Sequence, residues 1–288
     1  MAASIALLRY QGDMLKTIFS IAKKSLKKLP LKPFKHKLEI EVNNIIPSVK
    51  VVNEYQRWLN LEQSEIIPPH LFPLWSYPHL FKLGQSLNLP LHRVLNQGCK
   101  LKINSHLPLN SSLKMKAEIY EMKEFDSKFR INQRITTSCN QHEQAVVAEI
   151  YAVILKEKFN TSSLLNKKTK LIDTGNMQLI SEITITKKDA QSYALLSGDI
   201  NPIHLNNSIA KIMGLKGSIM HGFGLFAIIF EKLKAANIHF SEIDVRFLQP
   251  VYLEEDILIY IDHISDDKKT LRVLNKEKSL LHLTGYIK

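Results

Sequence analysis

The sequence predicts an α+β fold that is built twice along the chain. In each half of the 288 residues, helical patterns are followed by strand patterns separated at hairpin-like intervals. The halves also align locally: segments 101–115 and 245–259 both read as strand, proline-containing turn and strand, with Pro108 and Pro250 two places apart in this register. An internal duplication of about 140 residues accounts for both observations. Each unit would wrap an antiparallel sheet around one long apolar helix.

The first half begins with an amphipathic helix that is rich in lysine. Residues 14–29 (MLKTIFSIAKKSLKKL) place apolar side chains on one stripe and lysines on the opposite side, and Pro30 ends the pattern. The stripe consists of Leu15, Ile18, Phe19, Ala22, Leu26 and Leu29. We expect the stripe to pack on its own domain while the lysines stay solvated. The alternative is a weak contact of residues 14–29 with an anionic membrane surface, or with an acidic carrier protein.

The remaining elements of the first half are two helices and an antiparallel meander. A helical pattern at residues 48–62 is followed by a proline-rich passage and by an apolar helical segment, Leu80 to Leu89. Strand patterns then occupy residues 94–103, 112–124, 127–139 and 144–158.

A polar segment divides the chain. Residues 158–176 have no apolar period, which is typical of a linker. We therefore expect an N-terminal domain at residues 1–160, a linker at 161–176 and a C-terminal domain at 177–288.

The second half repeats the order of the first. A short strand, EITIT, precedes a helix from Lys187 to Leu196, and a strongly apolar helix starts near His221. Strand patterns follow at residues 239–251, 256–265, 269–277 and 279–287.

Composition and charge restrict the classes of partner. Hydrophobic residues make up 45% of the chain and charged residues 23%, which is typical of globular proteins. The formal net charge is +12, and eight lysines without an acid lie between Lys16 and Lys37, which favours a polyanionic partner or a phosphate-bearing ligand. No nucleic-acid recognition motif accompanies this charge, so we expect no nucleic-acid partner.

Two cysteines, Cys99 and Cys139, are too few for a disulfide framework, and no Cys/His spacing resembles a zinc site. No apolar run is long enough to span a bilayer, and the N-terminus lacks the features of a signal peptide. We therefore expect a cytoplasmic protein without a bound metal.

Residues 197–204 (SGDINPIH) combine turn chemistry with two groups that can move protons. Gly198 permits a backbone angle that other residues avoid, and Asn201 with Pro202 makes a turn. Asp199 and His204 are five residues apart, so a turn is needed to point both into one pocket. A carboxylate and an imidazole that converge can hold and polarise a water molecule. The structural alternative is that Asp199 and His204 are helix caps.

The start of the apolar helix near His221 is the second element of a candidate site. A buried helix N-terminus offers free N–H groups and the positive end of the helix dipole. Gly222 has no side chain to keep a ligand oxygen from its N–H, which is what stabilising a developing enolate oxygen requires. The alternative is that Gly222 and Gly224 only allow the helix to pack closely on the sheet.

Together these segments resemble the signature of the MaoC-like, R-specific enoyl-CoA hydratase (hydratase 2) family. The segment VRFLQPVYLEED (245–256) is similar to that family's RF-x-x-PV strand and turn, and the resemblance covers about residues 185–260. It implies a double hot-dog fold, in which two antiparallel sheets each wrap around a central helix and join side by side. The first half lacks the Asp/His motif and resembles the degenerate, non-catalytic hot dog of two-domain members.

The resemblance implies a role for each residue of the two motifs. The catalytic pair is Asp199 and His204, Asn201 braces the turn, the N–H of Gly222 binds the thioester carbonyl oxygen, and Ser218 and His221 support it. The implied reaction is the reversible syn addition of water to a trans-2-enoyl thioester, giving a (3R)-3-hydroxyacyl thioester. It requires no cofactor, since CoA or a carrier's phosphopantetheine is part of the substrate. Which member of the pair acts as base is left open.

Four further residues are candidates for substrate binding. Phe223 follows the His-Gly pair where the family often has Met, and we expect it to reshape the acyl tunnel. Lys211, Lys216 and Arg246 lie close in sequence to the site and would meet CoA phosphates or an acidic carrier, although each can also be a solvated surface residue. Apolar residues at 71–81 (LFPLWSYPHLF) are candidates to line the acyl space.

Three other functions remain open on the sequence. An acyl-carrier-protein 3-hydroxyacyl dehydratase of fatty acid synthesis would share fold and residues and differ in the carrier. A thioesterase would share only the fold, since thioesterase sites lack this turn. A non-catalytic acyl-thioester-binding hot-dog protein is disfavoured by the intact Asp199 and His204. We expect a protein of fatty acid metabolism that is a monomer, as a pseudo-dimer, or a homodimer.

Overall fold

The computed structural model describes residues 3–25, 34, 36–140, 142–156, 171–265 and 268–288. Most of the predicted linker, residues 161–176, lies outside this range, as do Leu26 and Leu29 of the predicted stripe. The helices are α1 (Gly12–Ser25), α2 (Val49–Trp58), α3 (Pro73–Ser86), α4 (Lys187–Ser197), α5 (Asn207–Ile212) and α6 (Gly222–Ala235). Within the described residues, no helix is both long and apolar enough to cross a membrane.

Ten strands form one antiparallel sheet within the described part of the chain. The first half contributes β1 (Leu38–Ile45), β3 (Val94–Ile103), β5 (Leu113–Glu124), β6 (Lys128–Cys139) and β7 (His142–Leu155). The second half contributes β8 (Gln178–Ile185), β9 (Glu242–Phe247), β10 (Glu255–Ser265), β11 (Lys268–Asn275) and β12 (Leu281–Ile287). A separate pair joins β2 (Ile66–Ile67) to β4 (Leu107–Pro108).

The strand order shows the duplication. It runs β1-β5-β6-β7-β3-β9-β12-β11-β10-β8, so each half presents the same topology when read from its own edge. The halves meet where β3 pairs with β9, from Gly98 opposite Arg246 to Lys102 opposite Glu242. Each edge strand is followed by a shorter helix, α2 or α4, and later by a longer one, α3 or α6, with the additional short helix α5 between α4 and α6. This is the predicted arrangement of two sheets joined side by side.

The helices cover one face of this sheet. Alternate residues of the central strands, such as Leu101, Val245 and Leu283, are fully buried and share one core with Phe226 and Ile229 of α6. Charged side chains occupy the opposite face, where Arg134 bridges Glu118 on β5 and Glu149 on β7. Because side chains alternate between the two faces along each strand, every second strand residue can contact the helices.

Two helices of the first half differ from their prediction. α3 begins at Pro73 instead of Leu80, because a proline at the first helical position loses no hydrogen bond, and the helix continues through Pro78. α1 turns a different face inward: Met14 and Thr17 are buried, whereas Phe19 of the predicted stripe is 71% exposed. The packing partners of α1, not its own hydrophobicity, decide this orientation.

A buried hydrogen-bonded chain joins the two halves. The Tyr55 hydroxyl lies 2.8 Å from Nδ1 of His70, and Nε2 of His70 lies 2.8 Å from Oε1 of Glu231 on α6. All three residues are buried. Burial lowers the pKa of His70, which favours the neutral ring. Nε2 then donates its hydrogen to Glu231, and Nδ1 accepts one from Tyr55.

We predict that Glu231→Ala lowers the free energy of unfolding by about 1–3 kcal/mol, because it leaves the buried N–H of His70 without an acceptor. Chemical denaturation measures this change. The matched control is Lys232→Ala, which alters the exposed neighbour and should stay within about 0.5 kcal/mol of the wild type. Equal effects of the two substitutions would contradict a stabilising role for the chain of hydrogen bonds.

Candidate active site

The C-terminal end of α4 determines where Asp199 lies. The helix starts with a capping box, in which the side chains of Thr186 and Asp189 each accept the other's backbone N–H. It ends at Gly198, which has a left-handed φ of +74°. A methyl group at Gly198 would also come within 3.0 Å of Cβ of Gln11. Both the backbone angle and the lack of space therefore require glycine here.

The turn that follows is closed by side chains. The N–H of Asn201 donates to Oδ1 of Asp199 at 3.4 Å, and Oδ1 of Asn201 accepts the N–H of Ile203 at 3.3 Å. Pro202 opens a 3-10 helix that ends at His204. Asn201 thus braces the turn locally, which brings Asp199 and His204 to the same side.

His204 is held in one orientation and one tautomer. Its Nδ1 lies 2.9 Å from the carbonyl oxygen of Ile219, so Nδ1 carries the hydrogen that this oxygen accepts. Nε2 of the neutral ring then keeps its lone pair. Burial lowers the pKa of His204, and the negative charge of Asp199 opposes that shift. The free ring nitrogen is consequently suited to accept a proton.

His221 clamps the turn from the other side. Its ring stacks on His204 with centroids 3.6 Å apart and planes 25° from parallel. Its Nε2 lies 2.9 Å from the backbone oxygen of Asp199 and donates to it. Burial, together with the neighbouring His204, holds the pKa of His221 well below its usual range. A ring that stays neutral can pack against His204 without adding charge to the site.

These three side chains form one compact cluster. The carboxylate of Asp199 and one nitrogen each of His204 and His221 lie within 4.8 Å of one another. Two histidines and a carboxylate are also a common metal-ligand set. The two imidazole rings are stacked, and a backbone oxygen already engages Nδ1 of His204 and Nε2 of His221, so one nitrogen of each ring is left for a further partner.

The N-terminus of α6 faces the same region. Gly222 is the first helical residue, and no described residue accepts its N–H. A methyl group at Gly222 would come within 2.9 Å of the Phe247 ring, and one at Gly224 within 2.9 Å of the Tyr193 ring. Close packing therefore explains why both residues are glycine, while the N–H of Gly222 remains available to a ligand.

The extended segment before α6 is anchored to the connection between β9 and β10 and to α5. Met220 donates its N–H to Val251 at 2.9 Å, and the N–H of Leu253 donates to the carbonyl of Ser218 at 3.1 Å. Ser218 is buried, and its own N–H donates to Oδ1 of Asn207 at 2.7 Å. Ser218 therefore supports the position of His221 and Gly222 through its backbone.

Aromatic rings of the first half reach this helix start. Phe223 is buried and makes edge contacts with Phe72 and Tyr77, each with ring centroids 5.4 Å apart. Tyr77 also contacts Phe81. Residues 71–81 thus lie beside the cluster, where we expected the acyl space, although no single residue of that segment stood out in the sequence.

The structure does not gather the three basic candidates at the cluster. Lys211 and Lys216 are exposed on and after α5. Arg246 lies on the opposite face of the sheet from the helices, because its neighbours Val245 and Phe247 point toward them. There its guanidinium pairs with Asp244 and stacks 3.5 Å above the Tyr151 ring.

The sequence of this region matches a known domain. A family model described as "MaoC like domain" matches residues 173–285. The 3-hydroxyacyl-thioester dehydratase X of Mycobacterium tuberculosis is 31% identical over 106 residues, which are 37% of this chain and 38% of that protein. The peroxisomal hydratase-dehydrogenase-epimerase of Neurospora crassa is 37% identical over 68 residues, which are 24% of this chain and 8% of that protein. The matches thus span less than two thirds of either relative.

The fold extends beyond the matched domain. The crystal structure of HtdX from Mycobacterium tuberculosis superposes with a TM-score of 0.70 at 18% sequence identity, covering 87% of this chain and 99% of that one. A structure titled "MaoC-like dehydratase" gives a TM-score of 0.69 at 15% identity, covering 88% of this chain and 97% of that one. The predicted double hot-dog fold is confirmed by these structures, and residues 173–285 of this chain are similar to the MaoC-like domain.

Proposed function

We propose that the protein is an R-specific enoyl-thioester hydratase, which in reverse is a (3R)-3-hydroxyacyl-thioester dehydratase. The observation that carries this proposal is that the Asp199 carboxylate lies within 4.8 Å of a ring nitrogen of His204, next to the N-terminus of α6, where the Gly222 N–H has no acceptor among the described residues. The names of the relatives support the same reaction class. The cluster of Asp199, His204 and His221 and the aromatic residues of α3 belong to one chain, so we expect the site to be complete without a second copy.

His204 is the base in the direction of hydration. Its Nδ1–H is engaged by Ile219, so Nε2 is the nitrogen that takes a proton from water. Asp199 accepts the second hydrogen of that water and orients its oxygen toward Cβ of the enoyl thioester. The water oxygen bonds to Cβ, and the proton on Nε2 passes to Cα from the same side. One H and one OH are thereby added to one face of the double bond.

The start of α6 stabilises the intermediate charge. As the oxygen attacks Cβ, negative charge develops on the thioester carbonyl oxygen, and the N–H of Gly222 donates to it. The positive end of the α6 dipole acts on the same oxygen. Phe223 and Tyr77 lie beside this point, so we place the acyl chain against the aromatic residues of α3.

The surface of α5 favours a carrier protein as the second candidate donor of the thioester. Ile209, Ile212 and Met213 are exposed there beside Lys211 and Lys216, and no acid occurs in residues 200–230. An apolar patch with a basic rim fits an acidic carrier better than free CoA. Matched enoyl-CoA and enoyl-carrier substrates distinguish the two by their kcat/KM values.

We predict that the wild type hydrates trans-2-enoyl thioesters to the (3R) product, measured by loss of the enoyl ultraviolet band and by chiral analysis. Asp199→Asn and His204→Gln should each lower kcat by about 10²–10⁴, because each removes a proton-handling group. The control is Asp256→Asn, whose carboxylate is held by Thr184 and Lys276 away from the cluster. A (3S) product, or no hydration of any chain length, would exclude the proposal.

We also predict the pH dependence of hydration. The base must be neutral, so kcat/KM should be constant at high pH and fall as the pH drops through the pKa of His204, which lies below the usual value of about 6.5. In Asp199→Asn the pKa of His204 should fall further, since the negative charge that raises it is gone. NMR titration of the His204 ring measures both values. A rise in the pKa of His204 in this variant would contradict the contact between Asp199 and His204.

A further inference from the structure

The N-terminal segment bridges the helices of the two halves. It comprises a 3-10 helix, Ile5–Tyr10, and α1. At one end, the N–H of Ala3 donates to Oγ of Ser192 on α4 at 3.4 Å, and α1 packs along α3. On the α3 side, the Ser20 hydroxyl donates to Oε1 of Gln85 at 3.4 Å. A segment with these contacts can set the position of α4 relative to the aromatic helix α3.

Gln11 makes the contact closest to the active site. It is 3% exposed, and its Nε2 donates to the carbonyl oxygen of Leu196 at 2.7 Å, across 185 residues of sequence. Leu196 belongs to the last turn of α4, where carbonyl oxygens have no partner within the helix. The C-terminal end of α4 lacks a hydrogen-bond donor for this carbonyl, and the side chain of Gln11, which lies outside the helix, supplies it.

The same region packs on the residue that precedes Asp199. A methyl group at Gly198 would come within 3.0 Å of Cβ of Gln11 and within 3.1 Å of Cβ and Cγ of Met14. These two side chains thus lie directly against the left-handed turn. The N–H of Asp199 donates to Oγ of Ser197 at 3.2 Å, so the next residue is tied to the helix end that Gln11 holds.

We propose that Gln11 is a positioning residue of the active site: by holding the carbonyl of Leu196 in the last turn of α4 and by packing on Gly198, it keeps the Asp199 carboxylate facing His204. This inference rests on the proposed function for its effect on turnover. Asp199 is then held from two sides, by Gln11 through the helix end and by His221 at its own carbonyl oxygen. Misplacement of a reacting group by about 1 Å can cost about 10² in rate.

The test is Gln11→Met, which keeps the length of the side chain and removes its donor. The matched control is Gln56→Met, because Gln56 is equally buried and donates to the carbonyls of Ser64 and Ile66 in the first half. In Gln11→Met we expect kcat for enoyl-thioester hydration to fall by about 10-fold or more with KM changed less than about 3-fold. In Gln56→Met we expect kcat to stay within about 2-fold of the wild type.

NMR titration of His204 provides a readout that does not need turnover. As Asp199 moves away, its influence on the ring weakens, so the pKa of His204 should fall in Gln11→Met and not in Gln56→Met. If Gln11→Met does not fold, Met14→Ala opens space beside Gly198 and should lower kcat and this pKa in the same direction. An unchanged pKa in a folded variant, or equal losses of kcat in both Gln→Met variants, overturns the proposal.

The two proposals fail in different ways. If the wild type does not hydrate enoyl thioesters, the proposed function is wrong, whereas a lower His204 pKa in Gln11→Met still supports the positioning role. If the wild type is active and neither kcat nor the pKa responds to Gln11→Met, the positioning role is wrong and the proposed function stands.

Discussion

The left-handed turn at Gly198 is the constraint on which the rest of the site depends. If α4 continued as a helix, Asp199 and His204 would project from different faces, since they are five residues apart. The turn ends the helix. The N–H of Asn201 then holds the Asp199 carboxylate, the carbonyl of Ile219 holds the His204 ring, and His221 holds the backbone oxygen of Asp199. A carboxylate and a neutral imidazole held in this way can share one water molecule.

The duplicated fold divides the work between its halves. The pairing of β3 with β9 makes one sheet, and Phe72 of the first half meets Phe223 of the second. The sequences HLFPL (70–74) and HGFGL (221–225) also align, so His70 corresponds to His221. His70 has both ring nitrogens engaged, by Tyr55 and Glu231, and the first half lacks the Asp/His turn. In the proposed reaction, the first half contributes structure and aromatic surface, and the second half contributes the groups that transfer protons.

Much of this could be predicted because it is encoded locally. Strands β3, β5 and β6 follow their alternating patterns closely, and the turn at 198–204 is specified by its own glycine, asparagine and proline. The start of α3 at Pro73 differs from the prediction because a proline usually breaks a helix, whereas a proline in the first turn fits one. The face of the sheet on which Arg246 lies could be predicted from the sequence, because alternate residues of a strand point to opposite faces. The Gln11 contact could not be predicted, since nothing near residue 11 in the sequence indicates that its partner is residue 196.

In the proposed reaction, one water adds across one face of the double bond through His204 while Asp199 holds it. Hydration of a trans-2-enoyl thioester in deuterated water tests this most directly, with NMR and chiral analysis of the product. We expect a single deuterium at C2, on the same face as the new hydroxyl group, and the R configuration at C3. Addition to opposite faces, or the S configuration at C3, would contradict it.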